Sequence, residues 1–143
     1  MLPAVQLLPL TSSLDEIPRL ADAVEAFCEP LAPGPRDLHA LQLALEEAVT
    51  NVIHHGYGGR PGHTFTVELR REDRRITAVL TDDAPAYDPL ARPEVDVHAP
   101  LAERGIGGLG VHLVKKLMDS AAYERRDGRN VLTLARNFAP TAP

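Results

Sequence analysis

Two runs of apolar alternation, separated by three residues, constrain this chain more than any other feature. Residues 63–71 (HTFTVELRR) put Phe65, Val67 and Leu69 on one side, and residues 75–81 (RITAVLT) do the same with Ile76, Ala78 and Leu80. Successive strand side chains point to opposite faces, so each run predicts a strand with one apolar face. Joined by Glu72 to Arg74, the two predict an antiparallel hairpin. Such a face has to be covered by other elements of the chain.

Helical periodicity upstream supplies the cover. Ser13 with Glu16 three positions later forms a capping-box pattern, and Leu14, Ile17, Leu20, Ala21, Val24 and Phe27 follow at helical spacing, ending near Glu29. Three prolines and a glycine between Pro30 and Pro35 break this helix, and Pro35 suits the first turn of the next. In that second helix Leu38, Leu41, Leu45, Ala48, Val52 and His55 form one stripe, which stops at Gly56 or in the glycine-rich turn from Tyr57 to Gly62. Residues 4–10 predict a first strand, with Pro9 marking an edge or a strand end. Residues 82–104 carry four prolines and no sustained period, so they predict a long loop, a feature usually tied to function or disorder. Residues 105–110 (GIGGLG) then open a third helix bearing Val111, Val114, Leu117 and Met118. Last come strands near 120–126 and 130–137 around the turn Asp127 to Asn130, where Asp-Gly favours a tight hairpin. The order implies an α+β fold: a two-layer sandwich of a mixed or antiparallel sheet with three helices on one face.

Composition narrows the function. A chain of 143 residues with 44% hydrophobic content predicts one domain over residues 1–143, burying about two-thirds of its unfolded surface. A net charge of −5 and the lack of a basic stripe argue against nucleic acid. A single cysteine, Cys28, allows neither an internal disulfide nor a multi-thiolate metal site, which fits a reducing cytoplasm. No apolar run approaches the roughly 18 residues of a membrane span, and the N-terminus lacks the basic flank of a signal peptide. The expectation is a cytoplasmic protein with no membrane partner.

Three segments carry chemistry. In LALEEAVTN (43–51), Glu47 and Asn51 lie four apart and share a helix face, a placement that also suits a solvated surface pair. In TDDAPAYDP (81–89), a strand runs into Asp82, whose ionised carboxyl only accepts hydrogen bonds and is suited to an exocyclic amine; simple turn chemistry is the alternative. In RGIGGLGVHLVKKLMD (104–119), glycines feed a helix whose N-terminus favours phosphate, though glycine loops also occur as plain turns. The last segment lacks the Lys-Ser/Thr of a P-loop and the upstream strand of a dinucleotide-binding fingerprint.

In this order, the three segments resemble the ATP-binding boxes of the GHKL ATPases, which share a Bergerat-type fold. GGLGVHLVKKLMD, with PAYDPL before it and GRNVLTL after it, is similar to the stand-alone anti-sigma factor serine/threonine kinases in particular. The resemblance implies that ATP and Mg²⁺ are the cofactors. It implies that Asn51 coordinates Mg²⁺ and that Glu47 orients or deprotonates the attacking hydroxyl. Asp82 would read adenine, with Ala84 beside it and His55 packing near the pocket. Gly105, Gly107, Gly108, Leu109 and Gly110 would wrap the phosphates, with Arg104 suited to touching them. The implied partners are an anti-anti-sigma antagonist, whose Ser or Thr is phosphorylated, and a sigma factor or similar regulator, with homodimerisation possible.

Other residues admit plainer roles. His54 and His55 point about 100° apart on a helix and cannot easily share an ion. Glu46 is a second choice for the base, Lys115 and Lys116 complement a helix C-terminus, and Arg125 to Arg129 read as solvated hairpin surface. One departure from the family pattern is Ala84, where glycine is usual. Its methyl either crowds the adenine pocket or is tolerated at negative φ. Crowding would favour a nucleotide-binding interaction module that transfers no phosphate; an ATP hydrolase driving conformational change ranks below both.

Overall fold

A computed structural model of the chain describes residues 4–91 and 108–140. Five strands form one antiparallel sheet in the order β1-β2-β3-β5-β4: β1 (Val5–Thr11), β2 (Thr64–Glu72), β3 (Arg75–Asp82), β4 (Ser120–Arg126) and β5 (Arg129–Asn137). The central hairpin pairs as the alternation predicts, with Val67 opposite Leu80 and Leu69 opposite Ala78. Its inward residues are buried with Leu20, Val24 and Phe27 of α1 (Ile17–Cys28) and Leu41, Leu45 and Val49 of α2 (Pro35–Asn51). Val114 of α3 (Gly108–Leu117) and Met118 join the same core. Thr66, Glu68, Arg70, Thr77, Val79 and Thr81 alternate onto the opposite, more exposed face. This is the predicted two-layer α+β arrangement, and the sheet is antiparallel throughout its described pairings.

Two helix boundaries differ from expectation. Ser13 Oγ accepts from Asp15 N at 3.2 Å, but Glu16 accepts from Thr11 N at 2.9 Å rather than completing a reciprocal box. A short 3₁₀ turn, Leu14–Glu16, therefore precedes α1, which starts against Pro18. At the far end of α2 the helix widens into one π turn, Val52–Gly56, closed by Tyr57 N donating to Val52 O at 3.0 Å. Single π turns are uncommon and cluster at functional sites.

The final hairpin turns through Asp127 and Gly128 at φ of 52° and 76°, the left-handed pair that an Asp-Gly turn provides. Arg136 of β5 donates from Nη2 and Nε to Asp37 Oδ1 at 2.8 and 3.1 Å, tying the sheet to the start of α2. Cys28 is buried and free, its thiol pushed up to about 11 by burial, with Arg71 pulling the other way. Among the described residues no helix is long and apolar enough to cross a membrane.

Candidate functional site

Period two carries Asp82 onto the core face of β3, in line with Ile76, Ala78 and Leu80. A carboxylate only 7% exposed needs partners, because burying an unpaired charge is costly. Its neighbour across the ladder is Asn130, also buried. Asn130 Nδ2 donates to Asp82 Oδ1 at 2.9 Å, and Ala84 N donates to the same oxygen at 3.0 Å. Among the described residues nothing hydrogen-bonds to Oδ2. Burial raises the Asp82 carboxyl above its ordinary value, against the opposing pull of Asn130 and of Ala84 N–H.

Asn51 ends α2 and faces the same space. It is 8% exposed, and its side-chain amide bonds to no described residue. Between α2 and the sheet lies an open cleft. Ala48, Val52, Leu80 and Leu132 give it apolar walls, while Asn51 and Asp82 supply polar groups. Apolar walls with a few placed polar groups are the usual lining of small-molecule sites. Tyr87 lines the cleft as well; its ring stacks on His55 at 5.3 Å, and its buried Oη has no hydrogen-bond partner among the described residues. A flat heteroaromatic ring with an N–H donor fits such walls and such a free carboxylate oxygen.

The structure brings Asn51 and Asp82 into one cleft, while the other expected residues stand in different relations to it. Glu47, one turn before Asn51, is half-buried and does not line the cleft. His55 is exposed and reaches it only through Tyr87. Ala84 is 2% exposed, and its methyl packs toward Gly56: a Cβ added at Gly56 would lie 3.0 Å from it. Ala84 also lies outside the left-handed region, so its methyl does not strain the backbone, and Gly56, not Ala84, lines the cleft. Arg104, Gly105 and Gly107 lie outside the described residues. Gly108, Leu109 and Gly110 form the first turn of α3, so that part of the expected loop is helical backbone.

Five residues were not singled out from sequence as parts of the site. Asn130 falls in a turn signal, yet it begins the inward series Asn130, Leu132, Leu134, the one clue that it faces the core. Tyr87 and Tyr123 line the cleft, and Tyr123 Oη donates to Asn130 Oδ1 at 2.5 Å. Arg125, expected as solvated surface, donates from Nη1 to Ala84 O at 2.8 Å and braces the segment after β3. Lys115 similarly donates to Leu90 O at 2.8 Å, joining α3 to that segment.

Residues 10–136 match the family model of the histidine kinase-like ATPase domain. The chain belongs to this family. It is 33% identical over 102 residues to the serine/threonine-protein kinase BtrW of Bordetella bronchiseptica, covering 70% of each chain. It is 26% identical over 102 residues to the anti-sigma F factor of Clostridium novyi, covering 71% of each. A crystal structure of the RsbU and RsbW domains of a Mycobacterium tuberculosis protein superposes with a TM-score of 0.68 at 17% identity. That superposition covers 99% of this chain and 34% of the larger one, and it supports the fold.

Proposed function

We propose that this histidine kinase-like ATPase domain is an anti-sigma factor-type serine/threonine protein kinase. It would use ATP with Mg²⁺ to phosphorylate a Ser or Thr of an anti-anti-sigma antagonist, and would bind a sigma factor or similar regulator. Residues 1–143 act as one domain in this reading, in the cytoplasm, with a second copy as a partner. The observation that carries it is the convergence of Asn51 and a half-free Asp82 carboxyl on one apolar-walled cleft, supported by relatives named as a kinase and as an anti-sigma factor.

The residues present fit the cofactors. Asp82 Oδ2 would accept a hydrogen bond from the adenine amine, and the Asn51 amide, unpartnered among the described residues, would offer the hard oxygen ligand that Mg²⁺ prefers. Arg104 and the glycines Gly105, Gly107, Gly108 and Gly110, with Leu109, are assigned to the phosphates. ATP supplies the γ-phosphoryl group, and Mg²⁺ neutralises its charge. Glu47, one turn from Asn51 though not lining the cleft, would orient the acceptor hydroxyl and take its proton as the new O–P bond forms and ADP leaves. Ala84 does not itself line the cleft, and its methyl packs against Gly56, which does.

Separating Glu47 from Asn51 tests this. Glu47→Ala should leave nucleotide affinity unchanged and slow transfer to an antagonist protein by at least about 10²-fold. Asn51→Ala should abolish Mg²⁺-dependent affinity. Unchanged binding and transfer in both variants would reject the assignment.

A further inference from the structure

Asn130 has the most crowded polar side chain among the described residues of the cleft. An Asn amide offers two N–H donors and one carbonyl oxygen with two lone pairs. Here Nδ2 meets Asp82 Oδ1 at 2.9 Å, Pro85 O at 3.1 Å and Ala84 O at 3.3 Å, so both hydrogens are spent. Oδ1 accepts from Tyr87 N at 3.2 Å and Tyr123 Oη at 2.5 Å.

Three of these partners are backbone groups with fixed roles: two carbonyls that only accept and one N–H that only donates. Rotating the amide by half a turn would set oxygen against two carbonyls and N–H₂ against an N–H. The backbone alone therefore dictates that Asn130 presents a donor to Asp82, whatever the state of the carboxyl. With Ala84 N as a second donor on the same atom, Oδ1 is saturated and is the poorest place for a proton. What remains for a ligand is Oδ2, on a carboxyl whose plane is held by two hydrogen bonds.

We propose that Asn130 is the positioning residue that makes this cleft selective for a 6-amino purine over a 6-keto purine. It does so by fixing Asp82 with one oxygen free and by anchoring Tyr87 at the cleft wall. The inference rests on the nucleotide reading above and deepens it. An acceptor held in one orientation rewards an exocyclic N–H and repels a keto oxygen. A loosely held carboxyl can turn or exchange oxygens and discriminates less. Asn130 touches no reacting atom in this account and acts through Asp82 and Tyr87.

The test compares ADP with inosine diphosphate, which carries a keto oxygen in place of the amine, by calorimetry in one Mg²⁺ buffer. Wild type should favour ADP by at least about 100-fold, since sites built to bond an N–H strongly reject analogues lacking it. Asn130→Leu should cut that ratio by at least about tenfold, and Asn130→Ser, which adds no bulk, covers the case where the leucine variant fails to fold. Adding Asp82→Asn to Asn130→Ser should give a ratio no lower than Asp82→Asn alone, because both act through one carboxyl. Equal weakening of both nucleotides, with the ratio kept, would reduce Asn130 to a structural residue and overturn the proposal; so would losses that multiply in the double variant. Wild type binding neither nucleotide would instead overturn the nucleotide reading beneath it.

Discussion

Asp37 and Asp82 sit toward opposite ends of α2, and the fold treats the two carboxylates in contrary ways. Both oxygens of Asp37 are occupied: Oδ1 by Arg136 Nε and Nη2, and Oδ2 by Ala139 N at 2.9 Å. Burial pushes that carboxyl up, but the Ala139 N–H and the Arg136 guanidinium outweigh it and hold Asp37 below its ordinary value. Among the described residues Asp82 is partnered on one oxygen only, and burial wins there, raising it. The first arrangement is finished by the protein itself. The second leaves an acceptor facing a cleft, at a cost to the stability of the free protein, which is the usual relation between a binding site and its scaffold.

The comparison breaks most visibly at Asp82. Asp82→Asn keeps the shape and can still accept from Asn130 and Ala84, but turns a donor toward the cleft. It should weaken ADP by about 10³-fold or more in calorimetry, while the free protein melts at the same temperature or a few degrees higher. A variant that binds normally would remove Asp82 from the site.

Arg136→Met is the complementary break and should act on stability alone. It strands Asp37 beside Ala139, and a loss of about 2–4 kcal/mol in urea unfolding is expected, with nucleotide affinity unchanged at a temperature where the variant is folded. The pH dependence follows from the signs. Because the folded Asp37 lies below its unfolded value of about 3.9, its contribution is complete above that pH and fades as pH falls through the folded value. Asp82, raised on folding in the company of Asp83 and Arg125, works in reverse: stability falls as pH rises through its window. Arg136→Met should therefore flatten the acid loss, and Asp82→Asn should remove the opposing trend.

A smaller effect is expected at the contact between Gly56, which lines the cleft, and Ala84. Gly56→Ala would bring a methyl within 3.0 Å of the Ala84 Cβ, closer than ordinary packing allows. A loss of about 1–3 kcal/mol is expected, as for overpacking elsewhere, with most of it recovered in Gly56→Ala/Ala84→Gly. Additive losses would show that the two residues do not press on each other.

Much of this was legible in the sequence because its signals are local. Alternation at 63–81 gave the central hairpin, and helical spacing after Ser13 and Pro35 gave α1 and α2. Asn51 and Asp82 could be singled out because one follows Glu47 by four residues on a helix face, the other ends an alternating strand, and both match the family's boxes. What escaped depends on partners distant in the chain. Asn130 meets Asp82 only because β3 pairs with β5 in one register, 48 residues apart in sequence. Arg125 reaches Ala84 across the same pairing, and no charge pattern announces an exposed arginine bonded to a backbone carbonyl. The π turn at Val52–Gly56 is likewise invisible to periodicity, since it inserts no breaker before Gly56.

The most direct test of the central claim, that the Asn51–Asp82 cleft holds a Mg²⁺-nucleotide, is calorimetric titration of the wild-type chain with a non-hydrolysable ATP analogue, with and without Mg²⁺. Saturable one-to-one binding that strengthens with Mg²⁺ and is lost in Asp82→Asn is the predicted result. No binding in either buffer, or binding indifferent to both Mg²⁺ and Asp82, would contradict it.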